Sequence, residues 1–313
     1  AWLGSANYKG TQYGLPFMGE CAALVYRTDV YEQKGVAVPD TLDDFMAAAQ
    51  KLHDPGNNLY GAVLRGFKGP GQNMYVWPPI FRMFGGEWFD KDMNPTFNSK
   101  EGLTALEYYV KIMKDLSPSA AINWNWPEIG DAFAAGTIAQ YMDGVAFAGM
   151  FGIPEKSKVV GKVGFHRMPK GPTGKRVSTI WTWSFPINAA VSEKRKKATW
   201  LWAQWMSSKE FQAQTSYEYK GSQGQRSADI IRQSIWKNDA YMKMLQFGKD
   251  FEQVTLDTLL NDLDPEWRPL VPQWPEIGNV LANTLQQAAA GQVQPKAGLD
   301  EAASLVTDIM KKK

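Results

Sequence analysis

Apolar residues along the chain fall into continuous short runs and into runs with helical spacing, and each predicts a different element. Ala22-Ala23-Leu24-Val25-Tyr26 is continuous, short and bounded by polar residues, which suits a buried strand. After Pro39-Asp40, Thr41 and Asp44 are spaced as a capping box, and Leu42, Phe45, Ala49 and Leu52 then share one helical face. Residues 54–71 are rich in Gly, Pro and Asn, with a strand expected over 60–64. The stretch 73–84 is apolar and aromatic, but Pro78-Pro79 bars a helix interior and suits a first turn. A further helix is expected after an Asn98/Glu101 cap, with Leu103, Leu106, Val110 and Met113 as its stripe. Another should begin near Trp126 and run through Phe133 to Ala135, followed by a strand over 138–142.

Residues 161–174 carry a short strand and a Pro/Gly turn. Ile180 to Ile187 alternates in a β-like way, so Trp181 and Trp183 should point to one side. Ser192 caps a long helix in which Ala198, Leu201, Trp202 and Trp205 share a face. A loop at 221–224 and helices over 240–246, 277–290 and 299–310 complete the pattern. The reading is an α/β protein whose second half is mostly helical.

Composition narrows the function. The chain has 313 residues, with 34 Lys+Arg against 32 Asp+Glu. That length suits two domains or one large one. A net charge of +2 argues against a nucleic-acid partner. No apolar run approaches the roughly 18 residues of a membrane span, and no leader is recognisable, so neither anchor nor signal peptide is expected. One cysteine, Cys21, and two histidines, His53 and His166, leave little for a disulfide, a metal centre or a nucleophile. No cofactor is called for. What stands out is 13 Trp, 12 Tyr and 15 Phe.

Two motifs imitate chemistry and fail on detail. Asp90, Asp92, Asn94 and Glu101 match calcium-loop positions, but Pro95 stands where that loop needs glycine, so a polar turn is expected. Gly171 to Lys175 resembles the end of a phosphate loop without its remaining residues. Carboxylates are plentiful enough to leave a glycosidase-type acid/base pair open. The aromatic pairs Trp124/Trp126 and Trp181/Trp183 are either core or stacking platforms.

Several segments, taken in order, resemble the maltose-binding-protein-like, family 1 extracellular solute-binding proteins of ABC importers. They are Tyr13-Gly-Leu-Pro-Phe-Met-Gly-Glu20, Ala23 to Asp29, Pro39 to Phe45, Phe133 to Gly144, Trp183 to Ile187, and Gly221 to Ser227. The resemblance implies a two-lobe periplasmic-binding-protein fold (type II-like) that closes on a hinge over a sugar. It also implies that the N-terminal lobe is incomplete here, with about a quarter of a usual member absent. One lobe would comprise 1–19 plus 185–245 and the other 20–184 plus 246–313, with the ligand cleft between them.

By the same resemblance, ligand contacts are expected from Phe17, Glu20, Asn73, Tyr75, Trp126, Asp143, Trp181, Trp183, Gln223 and Arg226. Ala146 and Phe147 stand where a stacking tryptophan is usual. The implied function is non-catalytic capture of a mono- or disaccharide or a sugar alcohol in the periplasm, by a monomer that hands it to a membrane permease. The alternatives are a carbohydrate-active enzyme using Glu20 with Asp143, or a binder of another small solute such as an oligopeptide or polyamine.

Overall fold

The computed structural model describes residues 6–218 and 228–311. Six strands run β1 (Asn7–Tyr8), β2 (Thr11–Gln12), β3 (Gly14–Arg27), β4 (Gln140–Gly144), β5 (Val163–His166) and β6 (Ile180–Pro186). The helices of the first half are α1 (Thr28–Lys34), α2 (Leu42–Leu52), α3 (Asn73–Met83), α4 (Lys100–Lys111) and α5 (Trp126–Ala134). Those of the second half are α6 (Glu193–Met206), α7 (Lys209–Thr215), α8 (Gln233–Trp236), α9 (Asp239–Met244), α10 (Phe251–Asn261), α11 (Trp274–Ala289) and α12 (Pro295–Lys311). No described helix is long and apolar enough to cross a membrane.

β3 organises the molecule. Its second half, the continuous run Ala22–Tyr26, lies between β4 and β5, antiparallel to both. Its first half instead pairs antiparallel with β6, with a bulge between Pro16 and Met18. One 14-residue strand therefore belongs to two pairings. The apolar run is continuous because elements cover both of its faces. Cys21 is fully buried at the changeover, and burial pushes its thiol pKa up, which keeps it unreactive.

The capping box of α2 forms as its spacing requires: Asp44 N–H donates to Thr41 Oγ1 and Thr41 N–H to Asp44 Oδ2. His53 caps the far end, where its Nδ1 accepts from Gly61 N–H at 3.2 Å. His166 closes β5. Asp90 Oδ1 accepts from the backbone N–H groups of Asp92 and Asn94, so its carboxylate is engaged in its own turn.

Several expectations need correction. Pro78 and Pro79 lie inside α3, not in its first turn. An interior proline costs about 3 kcal/mol, but α3 is buried almost all round. Met74, Val76, Trp77, Ile80 and Phe81 each gain roughly 1.5–3 kcal/mol by leaving water, and that sum wins. The 60–64 segment forms only single bridges, Tyr60 to Ile138 and Val63 to Tyr141. α4 is capped by Ser99, whose side chain accepts from Gly102 N–H, while Asn98 turns away to Asp300.

α6 forms after its Ser192 cap as expected, and its apolar face is covered only in part. Only Ala203 of α6 is buried; Trp200, Trp202 and Trp205 are about half exposed and Leu201 more so. Trp202 rests edge-on against Phe185, which stacks on Phe17 with ring centroids 4.0 Å apart.

Candidate functional site

The β3–β6 ladder sets Glu20 opposite Trp181 and Met18 opposite Trp183. Directly opposed residues of an antiparallel pair share a face, as do residues two apart on one strand. All four side chains therefore emerge together, and there they line a cavity of about 420 Å³. The facing wall comes from Tyr75 on α3, with Gly71 and Gln72 just before that helix. Trp126, the first residue of α5, stacks on Phe147 from the turn after β4, ring centroids 5.7 Å apart, and closes one side. Arg65, Ala146 and Asp229 complete the lining. Aromatic faces and a few converging polar groups are the usual make-up of a small-molecule site.

The charges are tightly placed. Arg65 and Asp143 are both buried, and Arg65 Nε lies 2.8 and 3.0 Å from the two carboxylate oxygens, with a further contact from its terminal nitrogen. Arg65 also donates to the Gly71 carbonyl at 3.1 Å, and its guanidinium carbon lies 4.5 Å from the Tyr75 ring centroid. This planar fork is thereby fixed in place. Glu20 is 7% exposed, and its Oε2 accepts from the Ala146 N–H at 2.8 Å. Desolvation pushes its carboxyl up to about 8; Arg65 and the Ala146 N–H oppose the shift, while Asp143 and Asp229 add to it. Near neutral pH such a group can either donate to or accept from a ligand hydroxyl.

Gly144 makes room for that carboxyl. A Cβ there would lie 2.3 and 2.7 Å from the Glu20 oxygens and 2.5 Å from Cδ. Since the clash is with the end of a side chain, Gly144→Ala is expected to displace Glu20 and leave the strand in place. Loss of one hydrogen-bonded contact, about 0.5–1.5 kcal/mol near neutral pH, should weaken ligand binding roughly two- to tenfold with an unchanged circular dichroism spectrum. Full affinity in that variant would remove Glu20 from the site.

Of the residues expected at the ligand, Glu20, Tyr75, Trp126, Trp181 and Trp183 are brought together. Three others are placed elsewhere. Phe17 sits at the bulge of β3, does not line the cavity and stacks on Phe185. Asn73 is fully buried with its amide used structurally: Nδ2 donates to the Ala282 carbonyl and Oδ1 accepts from Gly69 N–H. Asp143 is 1% exposed and spent on Arg65. Gln223 and Arg226 lie outside the described residues. Arg65, Gln72 and Asp229 were not expected. Arg65 could have been suspected as a lone charge ending the run Ala62-Val63-Leu64, but its partner is 78 residues away.

A larger groove of about 850 Å³ shares Glu20 with this cavity and is walled further by Leu15, Val145, Ile230, Trp236, Leu256 and Leu260. It is mostly apolar, and beside Arg232 and Lys237 it has one indole, Trp236, where the smaller cavity gathers Tyr75, Trp126, Trp181 and Trp183 around Glu20 and Arg65, so size alone does not make it the site. Among the described residues, no group of three or more His, Cys, Asp or Glu is placed to hold a metal ion.

Comparison with known proteins agrees with this geometry. The family of bacterial extracellular solute-binding proteins matches residues 1–213, and the chain belongs to it. Over 98% of its length the chain is 27% identical to the mannitol-binding protein of Pseudomonas aeruginosa, covering 71% of that protein. A solute-binding protein of an ABC transporter from Agrobacterium radiobacter, solved in complex with ribitol, superposes with a TM-score of 0.87. It is 30% identical, covering 98% of this chain and 74% of that one. Another from Agrobacterium vitis, with bound D-mannitol, also gives 0.87 at 29% identity, over 99% and 75% of the two chains. The fold is therefore that of the two-lobe periplasmic binding proteins.

Proposed function

We propose that this chain captures a sugar alcohol or a small sugar in the cavity between β3, β6, α3 and α5, and presents it to the permease of an ABC importer in the bacterial periplasm. The observation that carries the reading is the convergence of Glu20, Arg65 and the rings of Trp126, Trp181 and Trp183 on one cavity. Arg65 supplies donors, Glu20 supplies an acceptor or a donor, and the rings cover the carbon chain. The relatives' named ligands, mannitol and ribitol, are of a size that a cavity of about 420 Å³ accommodates.

Capture works by closure of two lobes, residues 1–19 with 185–245 and residues 20–184 with 246–313. Contacts from both lobes to one ligand favour the closed state. The division falls within β3, whose two halves have different partners, and this supports it. The protein acts as a monomer and performs no chemistry on its ligand. Asp143, the partner a glycosidase-type mechanism would give Glu20, is held by Arg65 and does not line the cavity.

The reading is tested by calorimetric titration with D-mannitol, ribitol, erythritol, glucose, maltose, spermidine and amino acids. Saturable binding of a polyol or sugar at micromolar or tighter affinity is expected, with no hydrolysis of aryl glycosides. Heat only with the amino acids or the polyamine would overturn it.

A further inference from the structure

The Trp181 ring is supported on more than one side. Tyr75 meets it edge-on at 5.9 Å, and Gly71 lies so near that an added Cβ would sit 3.0 Å from the indole Cη2. Arg268 lies over it, with the guanidinium carbon 5.4 Å from the ring centroid. The same guanidinium lies 4.9 Å from the centroid of Trp267, which also meets Tyr75 edge-on at 5.9 Å. Arg268 thus joins the segment before α11 to the wall of the ligand cavity through two indoles.

Its setting differs from that of the other partly buried arginines. Arg65, Arg82, Arg167 and Arg176 all hold carboxylates. Arg268 makes neither an ion pair nor a hydrogen bond with any described residue, so its two ring contacts are what locate it. A guanidinium stays charged in such a place, and a ring's quadrupole holds a partly desolvated cation more strongly than an exposed one. Arg268 does not line the cavity but Trp181 does, so the cation meets the indole from outside the ligand space.

We propose that Arg268 is a positioning residue for ligand capture: by lying over Trp181 it fixes that indole as a rigid wall of the cavity. A wall fixed beforehand loses no rotamer freedom when a ligand arrives, and that loss would otherwise weaken binding. The inference rests on the reading of the cavity as a polyol or sugar site, and it adds a residue that reads the ligand only through Trp181.

The test uses Arg268→Met and Arg268→Lys, each made with and without Trp181→Phe in the full chain. Two quantities are read: the dissociation constants for D-mannitol and ribitol, and the Trp181 emission without ligand. That emission is the difference between each protein and its counterpart carrying Trp181→Phe. Arg268→Met is expected to weaken binding roughly three- to tenfold and to shift the Trp181 emission to longer wavelength as solvent reaches a released ring. In the Trp181→Phe background the same substitution should change affinity little, and Arg268→Lys should restore most of what Met loses. Equal losses in both backgrounds, or an unshifted emission, would overturn the proposal. Should Arg268→Met fail to fold, the same comparison is made on Arg268→Lys, where an emission identical to wild type supports a cation's role and a fully released ring counts against it. Absence of polyol and sugar binding by the wild type overturns the ligand reading alone, because the emission comparison needs no ligand.

Discussion

Replacing Arg65 with alanine is expected to lower the stability of the chain by about 3–5 kcal/mol and to abolish ligand capture. Both members of the Arg65–Asp143 pair are nearly inaccessible to water, and among the described residues Asp143 keeps only the Gly144 N–H once the guanidinium is gone. An uncompensated carboxylate in that position is costly because the interior cannot replace its hydration. Domains are typically stable by only 5–15 kcal/mol, so a large share of the total is at stake. The pair itself adds little net stability, since its attraction is offset by the desolvation of two ions. Pairing Arg65→Met with Asp143→Asn should therefore recover more than half of the loss, because the amide oxygen still accepts from Gly144. Binding should not return with it, since the donors facing the cavity are still missing. Urea denaturation and titration on the same three proteins check both statements. If Arg65→Ala costs less than about 1 kcal/mol, or if the double variant binds, the pair is not what holds the cavity floor.

That pair also shows what the chain pattern can and cannot convey. Continuous apolarity at Ala22–Tyr26 identified the buried half of β3, because a strand covered on both faces has no polar side to display. The half from Gly14 to Glu20 carries mixed residues and one proline, since one of its faces lines a cavity, and it shows no strand pattern of its own. α10, over Phe251–Asn261, went unpredicted because its apolar residues are spread around the helix, with Leu260 largely exposed and Val254 and Thr258 buried. α6 forms with its Ser192 cap as its spacing requires, and its apolar face is covered only in part, by Phe185 against Trp202 and Phe211 against Trp205.

The site was legible where two residues lie close on one strand. Trp181 and Trp183 share a side by strand periodicity alone. Their meeting with Glu20 required a register between segments about 160 residues apart, and this came from family resemblance. Resemblance carried over Asn73 and Phe17 as well, and neither lines the cavity. The Asn73 amide is consumed by two backbone groups, and the Phe17 ring finds Phe185. Chain spacing contains neither fact.

Glu20→Gln is expected to separate stability from ligand affinity along the pH axis. Burial raises the carboxyl to about 8 in the folded chain, against about 4.5 for an open one. The sign follows from proton binding: between those values the folded state holds a proton that the unfolded state has released. The wild type should therefore lose stability as pH rises from about 4.5 to 8 and level off beyond, a cost on the order of 3 kcal/mol at neutral pH. Glutamine keeps the acceptor for the Ala146 N–H and carries no charge, so the variant should match the wild type near pH 4 and exceed it at pH 8. Affinity should run the other way. Above pH 8 the ionised carboxylate makes charge-assisted contacts with ligand hydroxyls, stronger than neutral ones by about 1 kcal/mol or more. There the wild type should bind a polyol roughly tenfold more tightly than the variant, whereas below pH 6 the neutral acid and the amide should bind alike. Ligand binding to the wild type at pH 7 should accordingly release a proton, visible as a dependence of the calorimetric heat on the buffer's ionisation enthalpy. Parallel stability and affinity curves for the two proteins between pH 5 and 9 would mean that Glu20 does not titrate in this window, and that its carboxyl is not the group facing the ligand.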